Sequence, residues 1–147
     1  MIDLHVHTNA SDGTLSPAAT VRHARSRNLS ARAITDHDTV EGVEEALEAG
    51  SSAGIEVVPG IEISAEHHLG TLHVLGYYIR HDDQRLRERI AVLQQARNAR
   101  NPRIIERLRG LGVAITLEQV EQEAETGQVG RPHFAKVMVR QGFVRSV

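Results

Sequence analysis

The chain lacks cysteine and tryptophan, and its only aromatic residues are two tyrosines and two phenylalanines. Without cysteine, disulfide bonds and thiolate metal sites are excluded. So few aromatic rings cannot form an extended platform for stacking bases. The formal net charge of −2 also lacks the basic excess that is typical of a protein that coats nucleic acid. A nucleotide would therefore bind at a localised site and not along a surface.

Long hydrophobic runs are also absent from the 147 residues. No apolar stretch approaches the roughly 20 residues that cross a bilayer, and the N-terminus shows no secretory signal. Hydrophobic residues make up 40% of the chain and charged residues 24%, as in ordinary globular proteins. We therefore expect a domain-sized unit in the cytoplasm, without a membrane interaction.

Hydrophobic periodicity predicts alternating strands and helices in the first half of the chain. Strands are expected at 2–6, 33–35, 55–58, 61–63 and 72–79, and helices from Pro17 and from 42 to 53. This order is typical of an α/β domain with parallel strands. The Pro59-Gly60 pair predicts a break between two short strands.

Helical spacing dominates after Asp82 and resumes beyond Pro102, and two further helices are expected at 117–126 and 132–141. A row of arginines follows one helical side and comprises Arg97, Arg100, Arg103 and Arg107. We expect this row to be a solvated face, with contact to a polyanion as a weaker alternative. The sequence thus predicts a strand-containing unit at 1–82 and a helical segment at 83–147.

His5 and His7 are two positions apart on the first predicted strand, so their side chains leave the same face. They can share one cation, although a pair of surface histidines is the alternative. Asp12 follows in a turn at the carboxyl end of this strand, where ligands gather in open α/β folds. Its alternative role is that of an ordinary turn former.

The second strand ends at Asp36-His37-Asp38, where His37 is a candidate metal ligand. Asp36 or Asp38 could orient the His37 ring through a hydrogen bond. Alternatively, Asp38 and Thr39 cap the helix that follows.

Glu62 lies between two isoleucines, and burying its carboxylate is costly unless it binds a cation or is protonated. The alternative is an edge strand with Glu62 in water. His73 lies in the next predicted strand and is a further candidate, whereas His67 and His68 are expected to be exposed.

Imidazole and carboxylate ligands without sulfur suit manganese, iron or zinc. Because the candidates exceed what one ion needs, a cluster of two or three ions is expected, and such clusters favour phosphoester hydrolysis. The last predicted helix begins at Gly130-Arg131-Pro132-His133. There Arg131 could grip a phosphate and His133 could donate to it, unless the motif is an ordinary helix start.

These motifs together resemble the PHP (polymerase and histidinol phosphatase) superfamily. The matching segments are Asp3-Leu4-His5-Val6-His7-Thr8 with Ser11-Asp12-Gly13, Ile34-Thr35-Asp36-His37-Asp38, Pro59-Gly60-Ile61-Glu62-Ile63-Ser64 and Leu72-His73-Val74-Leu75-Gly76. The helical segment and the Gly-Arg-Pro-His motif look like the branch of nucleoside 3′,5′-bisphosphate phosphatases and 5′-to-3′ exoribonucleases. The resemblance implies the N-terminal part of a distorted (β/α)7 barrel with an inserted helical segment.

The resemblance also implies a metal-dependent phosphoesterase for nucleotides or short RNA, with a metal-bridging hydroxide as the nucleophile. It assigns His5, His7 and Glu62 to a first ion, Glu62 and His73 to a second, and Asp12 and His37 to a third. Arg131 and His133 would contact the substrate phosphate, and Asp3, Asp36 and Asp38 would support the ligands. We expect manganese foremost among the ions, with iron, zinc or magnesium as alternatives.

Members of this family continue with further strands that supply three more metal ligands, and a closed barrel takes about 250 residues. We therefore expect this chain to lack the C-terminal part of the barrel. Weaker metal binding, loss of activity and self-association through an exposed sheet edge are the expected consequences.

The sequence leaves other functions open. A histidinol-phosphate-type phosphatase is the alternative within the enzyme class, although the inserted helices disfavour it. A non-catalytic half-domain that binds metal or a partner is the alternative outside that class. A proofreading exonuclease domain of a DNA polymerase is a third idea, but no polymerase sequence is present.

Overall fold

The computed structural model describes residues 1–68, 70–125 and 127–147. The elements in chain order are β1 (Ile2–Asp3), α1 (Pro17–Ser26), β2 (Ala31–Ile34), α2 (Val43–Ala53), β3 (Glu56–His67), β4 (Gly70–Tyr77), α3 (Gln84–Gly110), α4 (Leu117–Ala124) and α5 (Arg131–Arg140). Among the described residues, no helix has the length and hydropathy that a membrane span requires.

The strands form one curled sheet in the order β1-β2-β3-β4. β1, β2 and β3 are parallel, with α1 and α2 as the crossovers, whereas β4 returns antiparallel to β3 as a hairpin. This arrangement confirms the predicted α/β class. β1 and β4 are the outer strands of the described sheet, and self-association through either of them stays a prediction.

Local sequence signals account for the two crossover helices. The Ser16 hydroxyl caps α1 by accepting a hydrogen bond from the Ala19 amide at 3.2 Å, and Pro17 occupies the first turn. Gly54 ends α2 in the left-handed conformation, with a φ of 65°. The buried faces of both helices pack against β2 and the residue that precedes β3 in one hydrophobic cluster, which comprises Val21, Ala24, Ile34, Ala46 and Ile55.

β1 is shorter than expected and ends at Asp3 instead of Val6. The chain nevertheless stays beside the end of β2 beyond that point. The Thr35 amide donates to the Val6 carbonyl at 2.9 Å, and the Val6 amide donates to the Thr35 hydroxyl at 3.0 Å. These bonds fix the segment that carries His5 and His7.

The predicted break at Pro59-Gly60 is wrong, because β3 runs through it without interruption. The pairing partner changes there: Pro59 is opposite Ile34 in β2, and Gly60 is opposite Tyr77 in β4. A Cβ on residue 60 would lie 2.9 Å from the carbonyl oxygens of both Ile34 and Gly76, so the close approach of three strands requires glycine.

α3 is a continuous helix of 27 residues that contains Pro102. Its first half packs against the sheet, with Ile90 buried beside Val40, Val43 and Ile61. Its second half packs against α4 and α5 in a separate cluster around Ile105, Ile115, Val120, Phe134 and Val137. α3 therefore joins the sheet to the last two helices, and the division of the chain at residue 82 stays a prediction.

Candidate metal centre

Glu62 is the centre of a cluster of histidines at the carboxyl ends of the parallel strands. The Nε2 atoms of His5 and His7 lie 3.0 and 2.8 Å from its Oε2 atom. On the other oxygen, Oε1, the Nδ1 atom of His73 lies at 2.9 Å. Glu62 is only 4% exposed and sits between β2 and β4. The alternative of a hydrated glutamate on an edge strand is therefore wrong.

Asp12 makes a second point of convergence beside Glu62. Its Oδ1 atom lies 2.8 Å from the Nδ1 atom of His7, and its Oδ2 atom lies 3.8 Å from the Nε2 atom of His37. The loop after His7 turns back sharply at Gly13, where any Cβ would overlap the His7 carbonyl group. His7 and His37 thus each face both carboxylates, because Nδ1 of His37 is 3.5 Å from Glu62.

The potential ligand atoms fall into three overlapping groups, within each of which the atoms are no more than 4.8 Å apart. The groups are His5–His7–Glu62, His7–Asp12–His37 and His37–Glu62–His73. All six residues named as metal ligands from the sequence are thus brought together. His67 and His68 belong to none of these groups; His68 is exposed, as expected.

The arrangement of these atoms fits divalent cations. The Nε2 atoms of His5 and His7 are 3.2 Å apart while both face the same carboxylate oxygen. The Nδ1 atom of His37 is buried and has no hydrogen-bond partner in the part of the chain that the structure describes. A buried polar atom without a partner is costly, and a cation bound beside His37 and Glu62 would supply the partner that this nitrogen lacks. The sulfur-free set of donors suits manganese, iron or zinc.

The electrostatics favour ionised carboxylates and a neutral His37 ring, but they raise the pKa of His7. Burial lowers the pKa of His7, and the hydrogen bond and charge of Asp12 together with the charge of Glu62 outweigh burial. Burial raises the pKa of Glu62, but the hydrogen bond from His5 and the nearby histidine charges together outweigh burial. The net shift of the Glu62 pKa is therefore downward. Burial likewise raises the pKa of Asp12, but the hydrogen bond from His7 and the charges of His37 and His7 outweigh burial and lower it. Burial lowers the pKa of His37, which favours the neutral ring that ligates metals. Both carboxylates are therefore ionised at neutral pH.

Asp36 holds the loop that carries Asp12. Its carboxylate is 1% exposed and accepts hydrogen bonds from the Thr8 amide and hydroxyl, both at 2.7 Å. It also accepts one from the Ser11 hydroxyl at 2.6 Å. These contacts replace the predicted bond to the His37 ring, because the Asp36 carboxylate faces the loop.

Asp38 also has partners other than His37 and the helix that follows. Its Oδ1 atom accepts from the Ser64 amide at 2.8 Å, and its Oδ2 atom accepts from Arg97. The residue before α2 is Gly42, without a side-chain cap, so the capping role proposed for Asp38 is wrong. Asp3, also expected to support a ligand, accepts from the His5 amide at 3.4 Å and lies 3.6 Å from Arg32.

The predicted solvated row of arginines is correct only for its distal half. Arg103 and Arg107 are exposed, but Arg97 is 8% exposed and Arg100 is half-buried. Helical spacing placed the four on one side, but it did not show that the first turns of this side face the sheet. The sequence analysis therefore missed that Arg97 is buried beside the candidate metal centre.

Arg131 faces the metal-ligand candidates across a small pocket of about 190 Å³. The pocket is lined by Asp12, His37, Ser64, Thr71, His73, Arg97, Arg100, Arg131 and Pro132. Within the described residues, neither Arg100 nor Arg131 has a carboxylate oxygen within 4.0 Å. Burial lowers the pKa of Arg100, and the charges of Arg97 and Arg131 lower it as well, whereas the Asp38 charge raises it without reversing the shift.

His133 is buried at the start of α5, with an exposed fraction of 3%. Its Nδ1 atom accepts a hydrogen bond from the Gly130 amide at 2.9 Å, which leaves the ring proton on Nε2. Burial lowers the pKa of His133, so the ring is neutral at neutral pH. A Cβ on Gly130 would lie 2.9 Å from the Asp12 carboxylate, so the start of α5 abuts the cluster.

The α/β sheet, with a sulfur-free cluster of histidines and carboxylates at the ends of its parallel strands, is typical of a domain that binds divalent metal ions. The chain belongs to the PHP domain family, whose pattern matches residues 3–125. The resemblance seen in the sequence motifs is thereby confirmed.

Three relatives illustrate the match. The chain is 37% identical to a 5′-3′ exoribonuclease of Escherichia coli over 99% of its own length and 50% of the relative. It is 29% identical to a 3′,5′-nucleoside bisphosphate phosphatase of Chromobacterium violaceum, over 99% and 52% of the two chains. A solved structure from Bifidobacterium adolescentis, provisionally described as a metal-dependent phosphoesterase, superposes with a TM-score of 0.87 at 35% identity. The match covers 98% of this chain and 51% of that structure. The chain therefore spans about half the length of these relatives.

Proposed function

We propose that this chain provides the metal centre of a phosphoesterase that acts on nucleotides or on the 5′ ends of short RNA. The observation that carries the proposal is the convergence of His5, His7, His37 and His73 on the buried Glu62 carboxylate. The names of the relatives support both the reaction and the substrate class.

In this proposal the three overlapping groups of ligand atoms hold up to three divalent ions, with manganese as the preferred metal. Bound divalent ions supply Lewis-acid activation of water and neutralise charge on the phosphate. The residues of this chain orient the ions: Glu62 faces two groups with its two oxygens, and Asp12 holds His7 in one ring orientation. No serine or cysteine nucleophile is required.

The guanidinium groups opposite the ligands bind the substrate phosphate. Arg131 and Arg100 line the same pocket as Asp12 and His73, and neither is neutralised by a described carboxylate. Planar guanidinium groups match phosphate with paired donors. The Nε2–H group of His133 is available as a further donor at the start of α5. Positive charge and hydrogen-bond donors therefore lie on the side of the cluster that faces the helices.

Metal binding to the 147-residue chain is the first test. Titration calorimetry with Mn²⁺ should show binding that Glu62→Gln weakens by more than about 100-fold, since even supporting residues contribute about 10–100-fold. Glu56→Gln, at an exposed position of the same strand, should leave it unchanged. Equal Mn²⁺ affinity in the wild type and Glu62→Gln would contradict the metal assignment.

The substrate assignment needs a second assay. Phosphate release from a nucleoside 3′,5′-bisphosphate, and nucleotide release from a 5′-phosphorylated RNA tetramer, should depend on Mn²⁺ and on Glu62. The assay uses the protein at its full length, with histidinol phosphate as the competing substrate. Turnover of histidinol phosphate alone, or of no substrate, would rule the proposed substrate class out.

A further inference from the structure

The inserted helix α3 contacts the candidate metal centre through one buried arginine. The Nε and Nη2 atoms of Arg97 donate to Oδ2 of Asp38 at 3.0 and 2.6 Å. Nη2 also donates to the Ser64 hydroxyl at 2.7 Å. Burying such an ion pair removes both charges from water, which is costly in itself. Net stability is therefore a weak explanation for Arg97.

The two groups that Arg97 contacts belong to the two backbone segments that carry His37 and Glu62. These segments lie side by side, with the Glu62 amide donating to the Asp36 carbonyl at 3.1 Å. In the next step the Asp38 amide donates to the Glu62 carbonyl at 3.0 Å. Asp38 directly follows His37, and Ser64 lies two residues after Glu62. Arg97 thus spans the pair of segments just beyond both candidate ligands.

The backbone at Asp38 is held in an unfavourable conformation. Its φ is +50°, in the left-handed region that residues other than glycine rarely occupy. α3 fixes this residue a second time, because the Gln94 side-chain amide donates to the Asp38 carbonyl at 2.9 Å. Strained backbone persists where surrounding contacts over-determine it. Here Arg97 and Gln94 are those contacts, and the peptide they hold continues directly from His37.

We infer that Arg97 is a positioning residue for the metal centre, holding His37 and Glu62 at the spacing that shared cations require. The inference rests on the proposed function, since it concerns the same centre. Arg97 acts through Asp38 and Ser64 and is not itself a ligand. Metal affinity therefore depends on the inserted helix even when no substrate is bound.

The experiment compares metal binding by three variants of the 147-residue chain without substrate. The double variant Arg97→Met with Asp38→Asn removes both buried charges, while the substituted carboxamide retains an oxygen that can accept from the Ser64 amide. Arg97→Lys keeps the charge but loses the two-sided contact. Arg103→Met changes an exposed arginine of the same helix and serves as the control. Urea unfolding without metal shows which variants are folded.

The expected result is a loss of Mn²⁺ affinity of about tenfold or more in the double variant. The visible absorption spectrum of bound Co²⁺ should also change, because it reports coordination geometry. Arg97→Lys should be intermediate, and Arg103→Met should match the wild type. A structural role alone would move the urea midpoint but not the Co²⁺ spectrum of the folded protein.

A double variant that is folded and binds Mn²⁺ and Co²⁺ like the wild type would overturn the inference. If the double variant does not fold, Arg97→Lys provides the test. Wild-type Mn²⁺ affinity and a wild-type Co²⁺ spectrum in Arg97→Lys would then overturn the inference. Failure of the proposed function gives a different pattern: the wild type itself would then bind Mn²⁺ no better than Glu62→Gln.

Discussion

The sheet and the last helices of this chain differ in what they bury. The sheet region buries polar groups at its strand ends, including the carboxylates of Asp36, Asp38 and Glu62. The cluster between the second half of α3, α4 and α5 is apolar, with Phe134 and Val137 at its centre. The candidate metal ligands thus lie in the sheet region, whereas Arg131, on the far side of the pocket, begins a helix of the second region. We therefore expect that substitutions in the two regions perturb stability and metal binding separately.

The largest effect is expected from Phe134→Ala in the helical cluster. Removing a ring that is 4% exposed should lower the free energy of unfolding by about 3–5 kcal/mol, because a cavity remains. Urea unfolding without metal measures this, and Val92→Ala, at a position that is 59% exposed, is the control. Mn²⁺ affinity of the folded protein should be unchanged. A parallel fall in affinity would show that the two regions are not separable.

The converse change is Asp36→Asn in the sheet region. The loss of a charged acceptor for Thr8 and Ser11 should loosen the loop that carries Asp12 and lower Mn²⁺ affinity by about tenfold. Calorimetric stoichiometry measures how many ions are retained. Ser11→Ala, which removes one of the three bonds, should have a smaller effect. Unaltered affinity in Asp36→Asn would remove this carboxylate from the set that supports the centre.

A smaller effect is expected at the boundary of the two regions. Arg131→Met should weaken inorganic phosphate binding to the Mn²⁺-loaded chain by about two- to fivefold, the size of a partly exposed charge interaction. Arg140→Met lies at the other end of α5, where Arg140 pairs with Glu123, and is the matched control. Phosphate calorimetry distinguishes them. Equal losses in both variants would indicate a general charge effect instead of a local contact.

The sequence predicted which candidate metal ligands lie together better than it predicted the hydrogen bonds that hold them in place. His5, His37 and Glu62 follow or lie in successive parallel strands, and the right-handed crossovers of an α/β sheet bring such strand ends to one edge. That argument needs only the order of elements, which local patterns reveal.

The order of elements does not predict the hydrogen-bond partners of Asp36, Asp38 and Arg97. Arg97 pairs with a residue 59 positions earlier, and its helical spacing is compatible with either a buried or a solvated side. Which side of a helix is buried depends on how the helix docks on the sheet. The break predicted at Pro59-Gly60 was wrong for a related reason. β3 changes its pairing partner from β2 to β4 at this pair, and this change depends on tertiary structure.

The hairpin register of β3 and β4 limits how this region can change in length. Ser64 is paired with His73, so His73 shares a sheet face with Glu62. Inserting one residue into only one of the two strands would turn His73 to the opposite face. Adding one residue to each strand at the tip would leave the pairing near Glu62 intact. Homologous hairpins should therefore vary in length by paired additions, while their exposed side chains are free to diverge.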